Sequence, residues 1–154
     1  MDFELSLQSE TVRAAYPDEP LAATPDTAIA DVMRLLRAQK TGAVLVCEGD
    51  RLVGIFTERD AMRLMADSSD LSQPVSTAMT SNTMNVSPGT TVGEAIELMA
   101  SGGYRHLPIV DGAGTPVGVV QAPGIVHYLV DHFPETIYNL PPHTAGPPTE
   151  REGA

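Results

Sequence analysis

The same pattern of residues occurs twice along this chain of 154 residues. At a constant offset of 63 (25 to 88), Pro25, Thr27, Ile29, Met33 and Leu36 match Pro88, Thr90, Val92, Ile96 and Met99. After one inserted residue the offset is 64 (46 to 110), and Val46, Val53 and Gly54 match Val110, Val117 and Gly118. Each copy alone would expose the apolar face of a small sheet. We therefore expect the copies to pack with pseudo-twofold symmetry around a binding cleft.

Each copy has the pattern of a strand, a helix, two strands and a second helix. In the first copy Ile29, Val32, Met33 and Leu36 follow helical spacing, and Thr27 or Asp26 can cap that helix. Residues 43–47 and 52–56 then predict antiparallel strands joined by a turn at 48–50. An apolar stripe predicts the next helix: Ala61, Met62, Leu64 and Met65. The prediction is an α+β fold of tandem β-α-β-β-α repeats.

The second copy adds its own boundary signals. Thr91 and Glu94 have the spacing of a capping box, and Pro116 suits only the start or edge of a strand. We divide the chain into an N-terminal segment (1–10), repeat 1 (11–68), repeat 2 (74–132) and a proline-rich tail (133–154). Pro134 is expected to end the last helix, whereas residues 1–10 give no clear secondary-structure signal. Tyr138 and Leu140 could anchor the tail on the domain or on a dimer mate.

Composition narrows the classes of function. The formal net charge of −11 disfavours nucleic acid, whose phosphates bind positively charged surfaces. No apolar run is long enough to cross a membrane, and the acidic start lacks the basic region of a signal peptide, so we predict a cytoplasmic protein. Cys47 is interpreted as a small buried hydrophobe. His127, His132 and His143 lack metal-ligand spacing. The sequence shows no catalytic triad order or phosphate-binding glycine loop, so we predict no enzyme, no metal and no required cofactor.

The segment Thr57-Glu58-Arg59-Asp60 admits two interpretations. A threonine followed three residues later by an acid is typical of a capping box, in which both side chains satisfy free amides at a helix start. The same strand-turn-helix junction could instead present Thr57 and Asp60 to a ligand. The pattern alone leaves both possibilities open.

The order of these motifs resembles that of the CBS domain, the module named for cystathionine β-synthase. The likeness covers roughly residues 11–131 and rests on Gly54-Ile55-Phe56-Thr57-Glu58-Arg59-Asp60, on Tyr104-Arg105-His106-Leu107-Pro108-Ile109-Val110 and on Gly118-Val119-Val120. The resemblance implies a CBS-domain pair, usually assembled into a disc-shaped homodimer. It also implies a regulatory module that binds adenosine ligands such as AMP, ADP, ATP or S-adenosylmethionine.

By this resemblance Thr57 and Asp60 are the ribose-binding positions of the family. One ionised carboxylate, that of Asp60, can accept hydrogen bonds from both ribose hydroxyls, and the Thr57 hydroxyl can donate to ribose or phosphate. Arg105 and His106 are expected to face the phosphates. The predicted adenine slot is formed by Ile55, Thr83, Met84 and Tyr104.

The second copy departs from this pattern, since Gln121 and Gly124 replace Thr57 and Asp60. We expect its cleft to be weak or empty, with Leu21, Lys40 and Thr41 as structural walls. The primary prediction is thus a non-catalytic sensor of an adenine nucleotide that signals to an unknown effector protein. The alternatives are a ligand-free dimerisation or docking module, an S-adenosylmethionine sensor, and a nucleotide hydrolase with Asp60 as the base.

Overall fold

The computed structural model describes residues 3–134, with side chains from residue 6 onward. The predictions for the tail, including Tyr138, Leu140 and His143, lie outside the described residues. The described helices are α1 (Phe3–Ser9), α2 (Ile29–Gln39), α3 (Glu58–Ala66), α4 (Val92–Gly102) and α5 (Ala122–His132). The described strands are β1 (Ala22–Ala23), β2 (Ala43–Glu48), β3 (Arg51–Thr57), β4 (Thr80–Ser81), β5 (His106–Val110) and β6 (Pro116–Gln121). These elements confirm the predicted tandem α+β repeats.

The two sheets have equivalent connections. In the first, β1 runs parallel to β2, β2 pairs antiparallel with β3, and β3 pairs antiparallel with β4. In the second, β5 pairs antiparallel with β6, while Val86 bridges in parallel to Ile109 and Asp18 bridges antiparallel to Val119. Val86 is 63 residues after Ala23 of β1, and Ser81 of β4 is 63 residues after Asp18. The described halves are therefore related by pseudo-twofold symmetry.

Each sheet is completed by the first part of the other repeat. The segment around Asp18, near the start of repeat 1, pairs with β6 of repeat 2. Strand β4, near the start of repeat 2, pairs with β3 of repeat 1. The two hydrophobic cores are completed in the same way. Val12 and Ala15 are buried in the core formed by α4, β5, β6 and α5, whereas Val75 is buried in the core formed by α2, β2 and β3. The two halves are thereby tied to each other through backbone pairing as well as through apolar contact.

A small apolar cluster joins the halves at the centre. It contains the buried Ala43, Leu45, Cys47 and Ile55 of the first sheet together with Val119 of the second. The prediction that Cys47 is a buried hydrophobe is confirmed, and burial followed by the nearby Asp50 charge raises the pKa of its thiol. This thiol therefore contributes packing rather than reactivity.

At the helix starts, the capping box predicted for α4 is confirmed, the capping interpretation of Thr57 and Asp60 is realised at α3, and the cap predicted for α2 is wrong. Thr57 with Asp60, and Thr91 with Glu94, both form complete capping boxes at α3 and α4. The prediction that Thr27 or Asp26 caps α2 is wrong, because the N-cap is Ala28, which makes no side-chain cap bond. Thr27 and Asp26 instead bond to Thr24 within the preceding turn. The first amides of α2 are satisfied by backbone carbonyls of the inter-repeat linker: Ile29 N donates to Gln73 O and Ala30 N to Leu71 O.

The predicted stripe of α3 is also wrong in part. Ala61 and Leu64 pack against the first core, but Met62 and Met65 are 67% and 59% exposed. The helix turns Asp60 inward to cap its own first turn, which rotates both methionines toward the surface. None of the helices within residues 3–134 is long and apolar enough to cross a membrane.

Candidate functional site

A cavity of about 820 Å³ lies between the two halves. The first half contributes the end of β3 and the start of α3, the second half contributes the loop before β5 and the end of β6, and the segment after β4 forms a further wall. Seven of the eight predicted ligand-binding residues line it: Ile55, Thr57, Thr83, Met84, Tyr104, Arg105 and His106. A volume of this size suits a small organic ligand.

Asp60 is the predicted residue that does not line the cavity. Its carboxylate is buried, with the residue 7% exposed, and its Oδ2 accepts hydrogen bonds from Thr57 N at 2.9 Å and Thr57 Oγ1 at 3.2 Å. In return Asp60 N donates to Thr57 Oγ1 at 3.4 Å. Asp60 Oδ1 accepts no hydrogen bond from the residues that the structure describes. The hydrogen bonds of the helix cap thus occupy one carboxylate oxygen of Asp60 and leave the other available.

The apolar part of the cavity is formed by a buried strand residue and two half-exposed side chains. Ile55 is almost fully buried beneath it, whereas Met84 and Tyr104 are each 38% exposed. The Tyr104 ring lies directly over Gly102, where an added Cβ would stand 2.3 Å from the ring. Because Gly102 has no side chain, the Tyr104 ring can pack against the end of α4. The result is a slot with apolar faces of the kind on which a planar base can stack.

Two arginines give the cavity its positive charge. Arg59 and Arg105 both line it, and neither guanidinium forms a salt bridge within residues 3–134. Glu58, the first residue of α3, also lines the cavity and contributes a carboxylate. Since the chain as a whole is acidic, two unpaired guanidiniums in one cleft form a local site for an anionic group.

His106 lies at the base of this charged region. Burial lowers the pKa of its imidazole and the neighbouring Arg105 lowers it further, whereas Glu58 and Asp18 oppose this with smaller effects. An added Cβ at Gly42 would stand 2.7 Å from His106 Nε2, so the ring packs closely against the Gly42 backbone. At neutral pH the imidazole is therefore an uncharged hydrogen-bonding group.

Several lining residues were not predicted for this cleft. Arg59 lines the cavity and stands inside the Thr57–Asp60 motif, so its place in that motif was the signal available from the sequence. Asn82 gave no signal, since its position depends on the short pairing of β4 with β3. Gln121 was assigned to the second cleft, yet it lines this cavity together with Pro123. They reach it because the end of β6 lies beside the start of β5.

The positions of the second repeat that are equivalent to Thr57 and Asp60 have a different chemistry. The Gln121 side-chain amide donates to the Asp18 carboxylate. At Gly124 an added Cβ would stand 3.2 Å from Tyr16 O and 3.3 Å from Ala15 O. A side chain at this position would therefore press against two backbone carbonyls, and Gly124 itself supplies no carboxylate. Within residues 3–134 no group of three His, Cys, Asp or Glu side chains is placed to hold a metal ion.

Fold and cleft together define a module of two pseudo-symmetric α+β halves with a ligand-sized cavity between them. The chain belongs to the CBS domain family, whose model matches residues 12–67 and 75–131. Pairs of CBS domains are generally regulatory, non-catalytic modules, and they also occur as one part of enzymes such as inosine-5'-monophosphate dehydrogenase.

Related sequences differ widely in length. The CBS domain-containing protein YhcV of Bacillus subtilis is 32% identical over 111 residues, which are 71% of this chain and 79% of that protein. A 17.7 kDa protein of Acidianus ambivalens is 32% identical over 108 residues, 70% of this chain and 65% of that protein. The CBS domain-containing protein CBSCBSPB1 of Arabidopsis thaliana is 35% identical over 107 residues, only 20% of its length. The chain therefore spans between one fifth and four fifths of these relatives.

Solved structures share the fold. A CBS-domain containing protein of Agrobacterium tumefaciens superposes with a TM-score of 0.66 at 32% identity, covering 71% of this chain and 89% of that one. A CBS domain protein of Pyrobaculum aerophilum complexed with AMP gives 0.70 at 24% identity, covering 79% and 98%. A CBS domain pair in complex with 5′-methylthioadenosine and S-adenosyl-L-methionine gives 0.70 at 20% identity, covering 76% and 97%. These matches confirm the CBS-domain pair fold.

Proposed function

We propose that this chain is a non-catalytic regulatory module that binds an adenine nucleotide (AMP, ADP or ATP) in the cavity between its halves. The observation that carries the proposal is that one cavity combines an apolar slot with two unpaired guanidiniums. A nucleotide needs both features, since its base is planar and apolar on its faces while its phosphates are anionic. The AMP complex of the Pyrobaculum aerophilum protein, which has the same fold, supports this choice.

Each part of the nucleotide has a candidate partner. The adenine stacks between Ile55, Met84 and Tyr104, with Thr83 at the edge of the slot. The ribose hydroxyls donate to Asp60 Oδ1 at the start of α3, next in sequence to the lining residues Glu58 and Arg59. The phosphates bind Arg105 and Arg59, whose free guanidiniums can each donate two hydrogen bonds. His106 adds a neutral hydrogen-bonding group beside them, and Thr57 contributes the helix start.

S-adenosylmethionine is the alternative ligand of the same site. The complex of another CBS domain pair with this compound supports it, as does Glu58, whose carboxylate could face a sulfonium cation. Against it stand Arg59 and Arg105, because two cations disfavour a positively charged ligand. The charge of the cavity therefore favours the nucleotide.

A ligand-free dimerisation or docking module is the second candidate function. Two observations favour it: the Thr57 and Asp60 side chains already satisfy each other, and α3 exposes Met62 and Met65 side by side. A homodimer would cover these methionines and the adjacent mouth of the cavity, which Met62 also lines. Homodimer formation, an effector protein and a cytoplasmic location all remain predictions.

A thermal-shift series with adenine nucleotides, guanine nucleotides, adenosine and S-adenosylmethionine tests the proposal. A ligand at 100 times its Kd adds about 2.7 kcal/mol to the free energy of unfolding, which should raise Tm by about 5–10 °C for a chain of this size. We expect AMP or ATP to give such a shift. If no adenosine compound at millimolar concentration changes Tm, the ligand-free alternative takes its place. Release of phosphate from ATP by the purified chain would instead support the hydrolase alternative.

A further inference from the structure

A second, smaller cavity of about 410 Å³ adjoins the nucleotide cleft. One side is formed by β3 and the other by the segment that leads from β4 to α4. Its lining residues are Arg51, Leu52, Val53, Gly54, Asn82, Thr83 and Asn85. Asn82 and Thr83 also line the larger cavity, so this short segment is a wall common to both.

The polar groups of this smaller cavity are suited to an anion. Among the residues that the structure describes, the polar side chains of the lining are one guanidinium, two carboxamides and one hydroxyl, with no carboxylate. That composition is unusual for a chain with 20 acidic and 9 basic residues. Arg51 forms no salt bridge within residues 3–134, where the described ion pair is that of Arg34 with Asp31. A cation that lacks an internal partner is available to an external one.

The remaining donors can be counted from the hydrogen bonds. The Thr83 hydroxyl donates to Thr80 O at 3.1 Å, and the Asn85 side-chain amide donates to Thr83 O at 3.1 Å, so these bonds hold the segment in shape. The Asn82 side chain makes no hydrogen bond to any described residue. Arg51 and Asn82 therefore supply free donors from opposite walls, and Asn85 retains one amide hydrogen.

Contacts with the second half fix the position of Arg51. Leu52 N donates to Gly114 O at 3.0 Å, which docks the turn between β5 and β6 onto the start of β3. An added Cβ at Gly114 would stand 3.5 Å from Arg51 Cγ, so the stem of the arginine lies along that turn. The Asp111 carboxylate in the same turn accepts from the amides of Ala113 and Thr115. Both bonds go to Oδ1, and Asp111 is not among the residues that line the cavity.

We propose that this cavity is a phosphate-binding site formed by Arg51, Asn82 and Asn85. The phosphate could be the distal group of a nucleotide that extends past the Asn82–Thr83 wall, or it could be inorganic phosphate. Both sources present the same chemistry, a tetrahedral dianion that accepts bidentate bonds from a guanidinium and further bonds from amides. The site does not depend on the proposed function, because inorganic phosphate alone tests it.

The first experiment is an NMR titration of the ¹⁵N-labelled full chain with sodium phosphate, at ionic strength matched by sodium chloride. We expect saturable shifts of the Arg51 side-chain N–H and of the Asn82 and Asn85 carboxamides. Arg51→Gln should weaken phosphate binding about tenfold or more, because it removes a charge-assisted pair of hydrogen bonds. Arg34→Gln, which removes an exposed arginine on α2, is the matched control and should leave the titration unchanged.

The second experiment separates the two sources of phosphate by calorimetry with AMP and ATP. If a nucleotide extends into the cavity, Arg51→Gln should weaken ATP about tenfold and leave AMP unaffected. If inorganic phosphate is the ligand, Arg51→Gln should weaken only inorganic phosphate. The proposal is overturned if the Arg51→Gln chain, folded by circular dichroism, binds inorganic phosphate and ATP as the unmodified chain does. If the unmodified chain binds inorganic phosphate but no nucleotide, the proposed function is rejected and the phosphate site stands.

Discussion

At the scale of single residues, Asp60 connects the stability of α3 with the chemistry of the cleft. Its Oδ2 completes the capping box, while Oδ1 is free of bonds to the described residues. We expect Asp60→Ala to lower the free energy of unfolding by about 1 kcal/mol, the usual effect of losing a cap. The same change should weaken nucleotide binding by about 1.5–3 kcal/mol for each ribose bond removed. Urea denaturation and calorimetry measure the two effects separately.

The chain offers a matched control for this variant. Glu94 holds the equivalent position in the capping box of α4, where Glu94 Oε2 accepts from Thr91 N at 3.0 Å. Glu94 does not line the cavity. Glu94→Ala should therefore cost similar stability and leave nucleotide affinity intact. Equal affinity in the Asp60→Ala and Glu94→Ala variants would show that Asp60 is a helix cap only.

His106 provides a prediction for pH. Because burial and Arg105 lower the pKa of the folded-state imidazole below its usual value, the unfolded chain binds the proton more readily. The contribution of His106 to the free energy of unfolding is therefore present above about pH 6.5 and is lost as the pH falls below it. We expect His106→Gln to reduce the loss of stability between about pH 7.5 and pH 5.5 in urea denaturation.

The control for the pH prediction is His127, which is exposed on α5. His127→Gln should lose stability over the same range of pH as the unmodified chain does. If the His106→Gln and His127→Gln variants show the same pH dependence, His106 does not carry the effect.

The sequence could predict residues whose roles are local but not those placed by distant contacts. Seven of the eight predicted ligand-binding residues line the cavity, because the motif and the repeat fix their positions relative to nearby strand ends. The burial of Asp60 behind the wall depends on which rotamer completes the capping box, and spacing alone cannot choose it. Arg51 gave no signal as a hairpin residue, since its role arises only where the turn at Gly114 docks beside it.

At the scale of elements, the two-residue strand β4 determines the shape of the cleft. It pairs with Gly54 and Ile55 and leads directly into the wall at Asn82 and Thr83. Strands this short have no hydrophobic alternation to reveal them, so sequence reasoning predicted the long strands β2, β3, β5 and β6 but not the exchange of edge segments. Helix α1 was likewise not predicted from the sequence. It packs closely on α4, since the Leu7 carbonyl oxygen would lie 3.0 Å from a Cβ added at Gly93.

A glycine variant tests the contact between β3 and β4. An added Cβ at Gly54 would stand 2.5 Å from Met79 Sδ and 3.0 Å from Thr80 O, so it must move the β4 backbone. We expect Gly54→Ala to lower the free energy of unfolding by about 1–3 kcal/mol, as overpacking does, and to weaken nucleotide binding as well. Chemical denaturation and calorimetry provide both measurements.

Gly112 supplies the comparison for this variant. It lies in the turn between β5 and β6, where an added Cβ would meet no atom within 4 Å. Gly112→Ala should leave stability and binding close to those of the unmodified chain. A Gly54→Ala chain as stable as the Gly112→Ala chain would mean that β4 tolerates displacement from β3.

At the scale of the whole molecule, the symmetry of the fold contrasts with the asymmetry of its clefts. Thr57 lines the cavity and is bonded to Asp60, whereas at the equivalent positions of the second repeat Gln121 is bonded to Asp18 and Gly124 lies close to backbone carbonyls. We therefore expect calorimetry to give one nucleotide per chain. Gly124→Asp should not create a second site, because its Cβ would press against Tyr16 O. Two equivalent sites in the unmodified chain would contradict this asymmetry.

The exchange of edge segments has a consequence for how such a chain can be divided. If the second repeat were expressed alone from residue 74, it would lack Asp18 beside Val119 and the Val12 and Ala15 side chains in its core. The first repeat cut before β4 would present the open edge of β3 to other molecules, and unpaired edges recruit further strands into aggregates. We therefore expect that neither repeat folds alone. The smallest portion of this chain expected to fold when it is transferred to another protein is the pair of repeats, including Val12, Ala15 and Asp18.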